Sequence, residues 1–97
     1  MTDKEQLEWA AKAAGIEWFR HTDGGLWTKT NGIWNPRKDD GDAMRLAVKL
    51  KLHVSIFDDA IGIGWNGYEE FKYEGDRCEA ARRAIAQTAA EIGKAMP

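Results

Sequence analysis

The sequence predicts an α+β fold in which about three helices cover one face of an antiparallel sheet of about five strands, in the order α-β-β-(β)-α-β-β-β-α. Helix-capping signals at both ends precede apolar residues at three-to-four spacing. Between them, alternating apolar and polar residues are broken by Asp-Gly and Asn-Gly turns, and a further helical pattern divides this region in two. A length of 97 residues suits one domain, 1–97, and 43% hydrophobic content with five Trp is enough to form a core.

Thr2 with Glu5 three residues later is a capping box that opens the first helix. Leu7, Ala10, Ala11 and Ala14 form a narrow stripe suited to packing on a sheet, and Gly15 supplies the left-handed stop. From Ile16 the period changes. Ile16, Trp18 and Arg20 alternate with Glu17 and Phe19 up to the Asp23-Gly24-Gly25 turn, and Leu26 to Thr30 continues as a strand. Asn31-Gly32 suits a type I′ turn, Ile33-Trp34 adds a short third strand, and Pro36 closes the segment.

Asp39, Asp40 and Asp42 sit where a second helix presents free N–H groups. Ala43, Leu46, Ala47 and Leu50 follow on one side, with Arg45 and Lys49 on the other, ending near Lys51 or Leu52. Val54 and Ile56 mark the next strand. Ile61, Ile63 and Trp65 share a face of the strand after it, while Gly62 and Gly64 leave the other face bare. A two-residue Asn66-Gly67 turn would place Gly62 opposite Phe71, and Ile63 and Ile61 opposite Glu70 and Lys72. Asp76 with Glu79 forms a second capping box for the last helix, whose stripe runs Cys78, Ala81, Ile85, Ala89, Ile92 and Met96, with Gly93 a point where it frays or ends. An echo at an offset of 38 pairs Ile16 with Val54, Phe19 with Phe57, Gly24 with Gly62 and Trp27 with Trp65. It fits either two helix-hairpin units or two unrelated β-segments of similar composition.

Composition narrows the function. A net charge of -2 argues against DNA as a partner and against a polybasic membrane binder. One Cys excludes an intramolecular disulfide and Cys-based structural zinc motifs, and the opening residues lack a secretory leader pattern. No apolar run approaches the roughly 20 residues needed to span a bilayer. A cytoplasmic location follows as the expectation.

Gly62-Ile63-Gly64-Trp65-Asn66-Gly67 matches G-x-G-x-x-G, yet Asn-Gly turns into a strand where a phosphate-binding loop opens a helix, so hairpin geometry explains it. Helix capping explains Asp39, Asp40 and Asp42 better than a calcium loop, which needs a distal Glu and a central Gly. Ser55, the only serine, lies mid-strand, and Cys78 falls on the apolar stripe with no activating neighbour. The expectation is no catalytic residue, no metal and no cofactor. Five indoles exceed what a small core buries completely, which leaves one or two for a partner or a flat ligand. Trp34 and Trp65, beside the Asn-Gly turns, are the candidates, with Arg45, Lys49, Arg82 and Arg83 as basic residues that could join them.

The segment Trp34-Asn35-Pro36-Arg37-Lys38-Asp39-Asp40-Gly41-Asp42-Ala43-Met44-Arg45-Leu46-Ala47-Val48-Lys49-Leu50 resembles one found in small proteins encoded by proteobacterial phages and prophages. Ala81-Arg82-Arg83-Ala84-Ile85 with Ala89 to Met96, and Glu8 to Gly15, resemble the same group. The resemblance implies a phage accessory protein acting in the bacterial cytoplasm, with no activity or site to transfer. Proteins of this kind often bind and disable a host factor. A host protein is therefore the leading partner, and a second copy of the chain could also cover an unburied Trp. The alternative is a protein that sequesters a signalling nucleotide, stacking its base on Trp34 or Trp65 and pairing its phosphate with Arg82, Arg83 or Arg45.

Overall fold

The computed structural model describes residues 1–30 and 32–97. The chain runs α1 (Asp3–Ala14), β1 (Trp18–Thr22), β2 (Gly25–Thr28), β3 (Gly32–Trp34), α2 (Asp40–Leu50), β4 (His53–Ile56), β5 (Ala60–Gly64), β6 (Tyr68–Lys72) and α3 (Arg77–Ala95). The α+β class holds, but the strands form two three-stranded antiparallel meanders, β1-β2-β3 and β4-β5-β6, in place of one sheet. The physical reason is α2, which intervenes between β3 and β4 and leaves those two strands unpaired with each other.

Local capping chemistry sets the helix ends. The Glu5 N–H donates to Thr2 Oγ1 and the Thr2 N–H donates to Glu5 Oε1, both at 3.1 Å. Asp39 caps α2 through the Asp42 N–H, and Asp76 caps α3 through the N–H groups of Cys78 and Glu79. The second capping box is half made, because the Glu79 carboxylate lies 3.8 Å from Arg83. Gly15 and Lys51 both end their helices in the left-handed conformation.

These two helix ends match closely. The Ile16 N–H donates to the Ala11 carbonyl and the Leu52 N–H to the Ala47 carbonyl, each at 2.9 Å. Ala11 and Ala47 are 36 positions apart, as are the buried pairs Leu7 and Ala43, and Ala10 and Leu46. In the strands the offset falls to 35. Arg20↔Trp27 and His21↔Leu26 in the first meander answer Ser55↔Gly62 and Ile56↔Ile61 in the second. A bulge between Trp18 and Arg20 holds the extra residue, Phe19. The chain thus repeats an α-β-β-β unit and adds α3. The pairs at offset 38 do not correspond, since Gly24 lies in a turn and Gly62 in a strand.

The β5-β6 register is one residue away from the expected one, with Gly62 opposite Glu70 and Ile61 opposite Phe71. Trp65, Asn66 and Gly67 make a three-residue connection, and Asn66 and Gly67 both take positive φ. The slip relieves half of the awkward alternative: Ile61 now meets Phe71 and not Lys72, while Ile63 still stands opposite a glutamate, Glu69. The expected Asn31-Gly32 turn has its first residue outside the described residues.

Long α3 packs on α1, α2 and β5, and most of its circumference is buried. Its inward face runs through Ala80, Ala84, Ile85, Ala89 and Ile92. Cys78 and Met96 are exposed, contrary to the stripe expected from spacing, because α3 meets no neighbour beside those end turns that covers them. α1 rests chiefly on this helix and not on a sheet. Gly93 is neither frayed nor terminal but buried against α1. No described helix is long and apolar enough to cross a membrane.

Candidate functional site

The six residues singled out from the sequence lie in three places. Trp34 is 4% exposed, so it belongs to the core and not to a partner surface. Its position next to a turn misleads, since pairing with Leu26 turns the indole inward and sends Ile33 outward. Trp34, Arg45 and Lys49 nevertheless converge, lining one groove of about 510 Å³ with Ala14, Ile16, Asp42 and Leu46. Asp42 is committed within it, because Oδ2 accepts the Asn35 N–H at 2.9 Å and Oδ1 accepts from Arg45 Nη2 at 2.7 Å.

Trp65, 43% exposed, sits in the β5-β6 connection beside a groove of about 360 Å³ that also holds Glu69 and Glu91. Those carboxylates would repel a phosphate. The glycine face expected to be bare is covered by the chain itself. The Tyr68 ring lies over Gly62, and the His53 side chain lies beside Gly64. Partial desolvation first, and then the bond from its hydroxyl to Glu70 Oε2, push the Tyr68 phenol up.

Arg82 and Arg83 line a different groove, of about 540 Å³, with Arg37, Lys38 and Lys4, and no Trp borders it. Arg82 is a structural latch. Its Nη1 donates to Asp40 Oδ1 at 2.6 Å and its Nε donates to the Arg37 carbonyl at 3.0 Å, which ties α3 to the start of α2. The bond to Asp40 raises the guanidinium further above its ordinary range. Arg83 is exposed and lies near Glu79. Neither arginine shares a groove with Trp34 or Trp65.

The segment from Trp34 to Asp42 is a joint. The Asn35 side chain donates to the Gly24 carbonyl and accepts the Arg37 N–H, while its carbonyl accepts from Lys38 and Asp39. Pro36 is fully buried. These residues hold the first meander to α2, so little of the segment remains for a partner.

The outer face of the first meander was not picked out from the sequence. Arg20, Trp27 and Ile33 form one rung across all three strands. The β1 bulge turns Phe19 to the same side, where its ring meets Trp27 edge-on at 6.4 Å and 85°, and the Arg20 guanidinium lies 6.0 Å from the indole centroid. Phe19 is 52% exposed and Ile33 47%. Alternation around the buried Leu26 and Thr28 could have identified Trp27 as outward-facing, but nothing local announces the bulge.

Among the described residues no three His, Cys, Asp or Glu side chains gather as a metal site requires. Ser55 of β4 pairs with Gly62 of β5, and the His21 ring meets the Glu8 carboxylate at 2.6 Å, bridging β1 to α1. No protein-family model, curated protein or solved structure matches this chain.

Proposed function

We propose that this chain is a non-enzymatic phage accessory protein that binds and modulates a host protein in the bacterial cytoplasm, with the outer face of β1-β2-β3 as its contact surface. The observation that carries the reading is the rung of exposed Arg20, half-buried Trp27 and exposed Ile33 across the three strands, with exposed Phe19 against the indole. Trp and Arg at the centre of an apolar patch are the residue types that dominate binding energy at protein interfaces. The resemblance of Trp34–Leu50, of Ala81–Ile85 with Ala89–Met96, and of Glu8–Gly15 to small phage proteins is what suggests the host context.

The test is capture from host lysate with the wild type and three variants compared side by side. One host protein should be retained by the wild type and by Trp65→Ala, and lost with Phe19→Ser or Trp27→Ser. Equal retention by all four, or a small molecule copurifying with no protein, would overturn the reading.

A further inference from the structure

We infer that the groove between α2, β3 and the end of α1 is a binding site for a small apolar monocarboxylate. Ala14, Ile16, Leu46 and the edge of Trp34 make its floor and wall, while Arg45 and Lys49, one helical turn apart on α2, stand at its rim. About 510 Å³ lies within the ordinary range for small-ligand sites, and the lining sets four apolar side chains beside the charged groups of Asp42, Arg45 and Lys49.

Charge decides the class of occupant. The one carboxylate in the lining, Asp42, is nearly buried, and its two oxygens are already held by the Asn35 N–H and by Arg45. Lys49 is exposed and has no ion pair among the described residues. The groove therefore offers an uncompensated ammonium above an apolar floor, with the remaining N–H donors of Arg45 beside it. One free cation suits one negative charge, and the apolar body of the ligand would take the place of water over the half-exposed Ile16. Trp34 shows too little surface to stack a base, which sets this ligand apart from a nucleotide. The groove shares no residue with the Phe19–Trp27 surface, so either can fail alone.

The probe is 3-phenylpropanoate, titrated into the full ¹⁵N-labelled chain and followed by two-dimensional NMR, with 3-phenylpropanamide and adenosine monophosphate as parallel arms. Saturable shifts should appear at the Trp34 indole N–H and at Ile16 and Lys49. The neutral amide and the nucleotide should each bind roughly tenfold or more weakly. Lys49→Glu, a change at an exposed side chain, should weaken the carboxylate by at least about tenfold and leave the rest of the spectrum in place. The inference is overturned if no shifts saturate at the groove, if the amide or the nucleotide binds as well as the carboxylate, or if Lys49→Glu binds like the wild type.

Discussion

Gly93 of α3 lies against the main-chain carbonyl of Trp9 in α1, so close that a Cβ at Gly93 would overlap that oxygen. Ala10, Ala11 and Ala14 on one helix and Ala86, Ala89 and Ala90 on the other keep the axes near each other. Gly93→Ala therefore sets two effects in opposition. Alanine favours a helix by about 1 kcal/mol over glycine, whereas overpacking against immovable backbone costs about 1–3 kcal/mol. The second should win and lower the midpoint in a thermal melt by several degrees, at about 4–8 °C per kcal/mol for a chain of this size. A variant as stable as the wild type would mean that the helices lie further apart.

Gly62 makes a contact just as tight, but with a side chain, the Tyr68 ring. That ring is mostly exposed and free to rotate away. Gly62→Ala should shift stability by no more than about 0.5 kcal/mol in urea, and the Tyr68 ring resonances should move. A loss comparable to that of Gly93→Ala would show that the ring is held in place.

Asp42 and Arg45 form one ion pair with unequal stakes. Asp42→Ala leaves the buried Asn35 N–H without an acceptor and should cost about 1–3 kcal/mol, read from the urea midpoint. Arg45 is exposed, so Arg45→Ala should cost less than about 1 kcal/mol. Similar losses for both would place the value in the ion pair and not in the capped amide.

The Glu5 carboxyl is held below its ordinary range, chiefly by the Thr2 backbone N–H and then by the Thr2 hydroxyl. The unfolded chain, with the higher pKa, binds more protons at acid pH. The contribution of Glu5 is therefore fully present above the ordinary carboxylate range and is lost as the pH falls through the lowered folded value. Wild type and Glu5→Gln should differ in stability at neutral pH and converge on acidification in paired melts. A constant difference down to low pH would remove the carboxylate from the cap.

Much of the secondary structure is legible locally. Thr2, Gly15, Asp39 and Asp76 mark helix ends because a cap acts on backbone groups only a few residues away. About five strands were expected and six form, because turn signals such as Asp23-Gly24-Gly25 and Asn66-Gly67 are local too, although the bulge in β1 breaks the alternation there. The candidate site was legible only in part. Arg45 and Lys49 were placed on the outward side of α2 and do line a groove with Trp34, yet the indole that looked available is buried while Trp27 faces outward.

What the sequence by itself determined is the set of elements, the three helix starts and the α+β class, all fixed by interactions spanning a few residues. Tertiary structure alone decided that α2 would split the strands into two meanders, that Phe19 would bulge and turn toward Trp27, and that Cys78 would be left outside the core. It also decided that Gly93 would serve packing and not termination. Each of these depends on which distant surface arrives beside a residue, and the free energy of burial belongs to that meeting of surfaces and not to the residue alone.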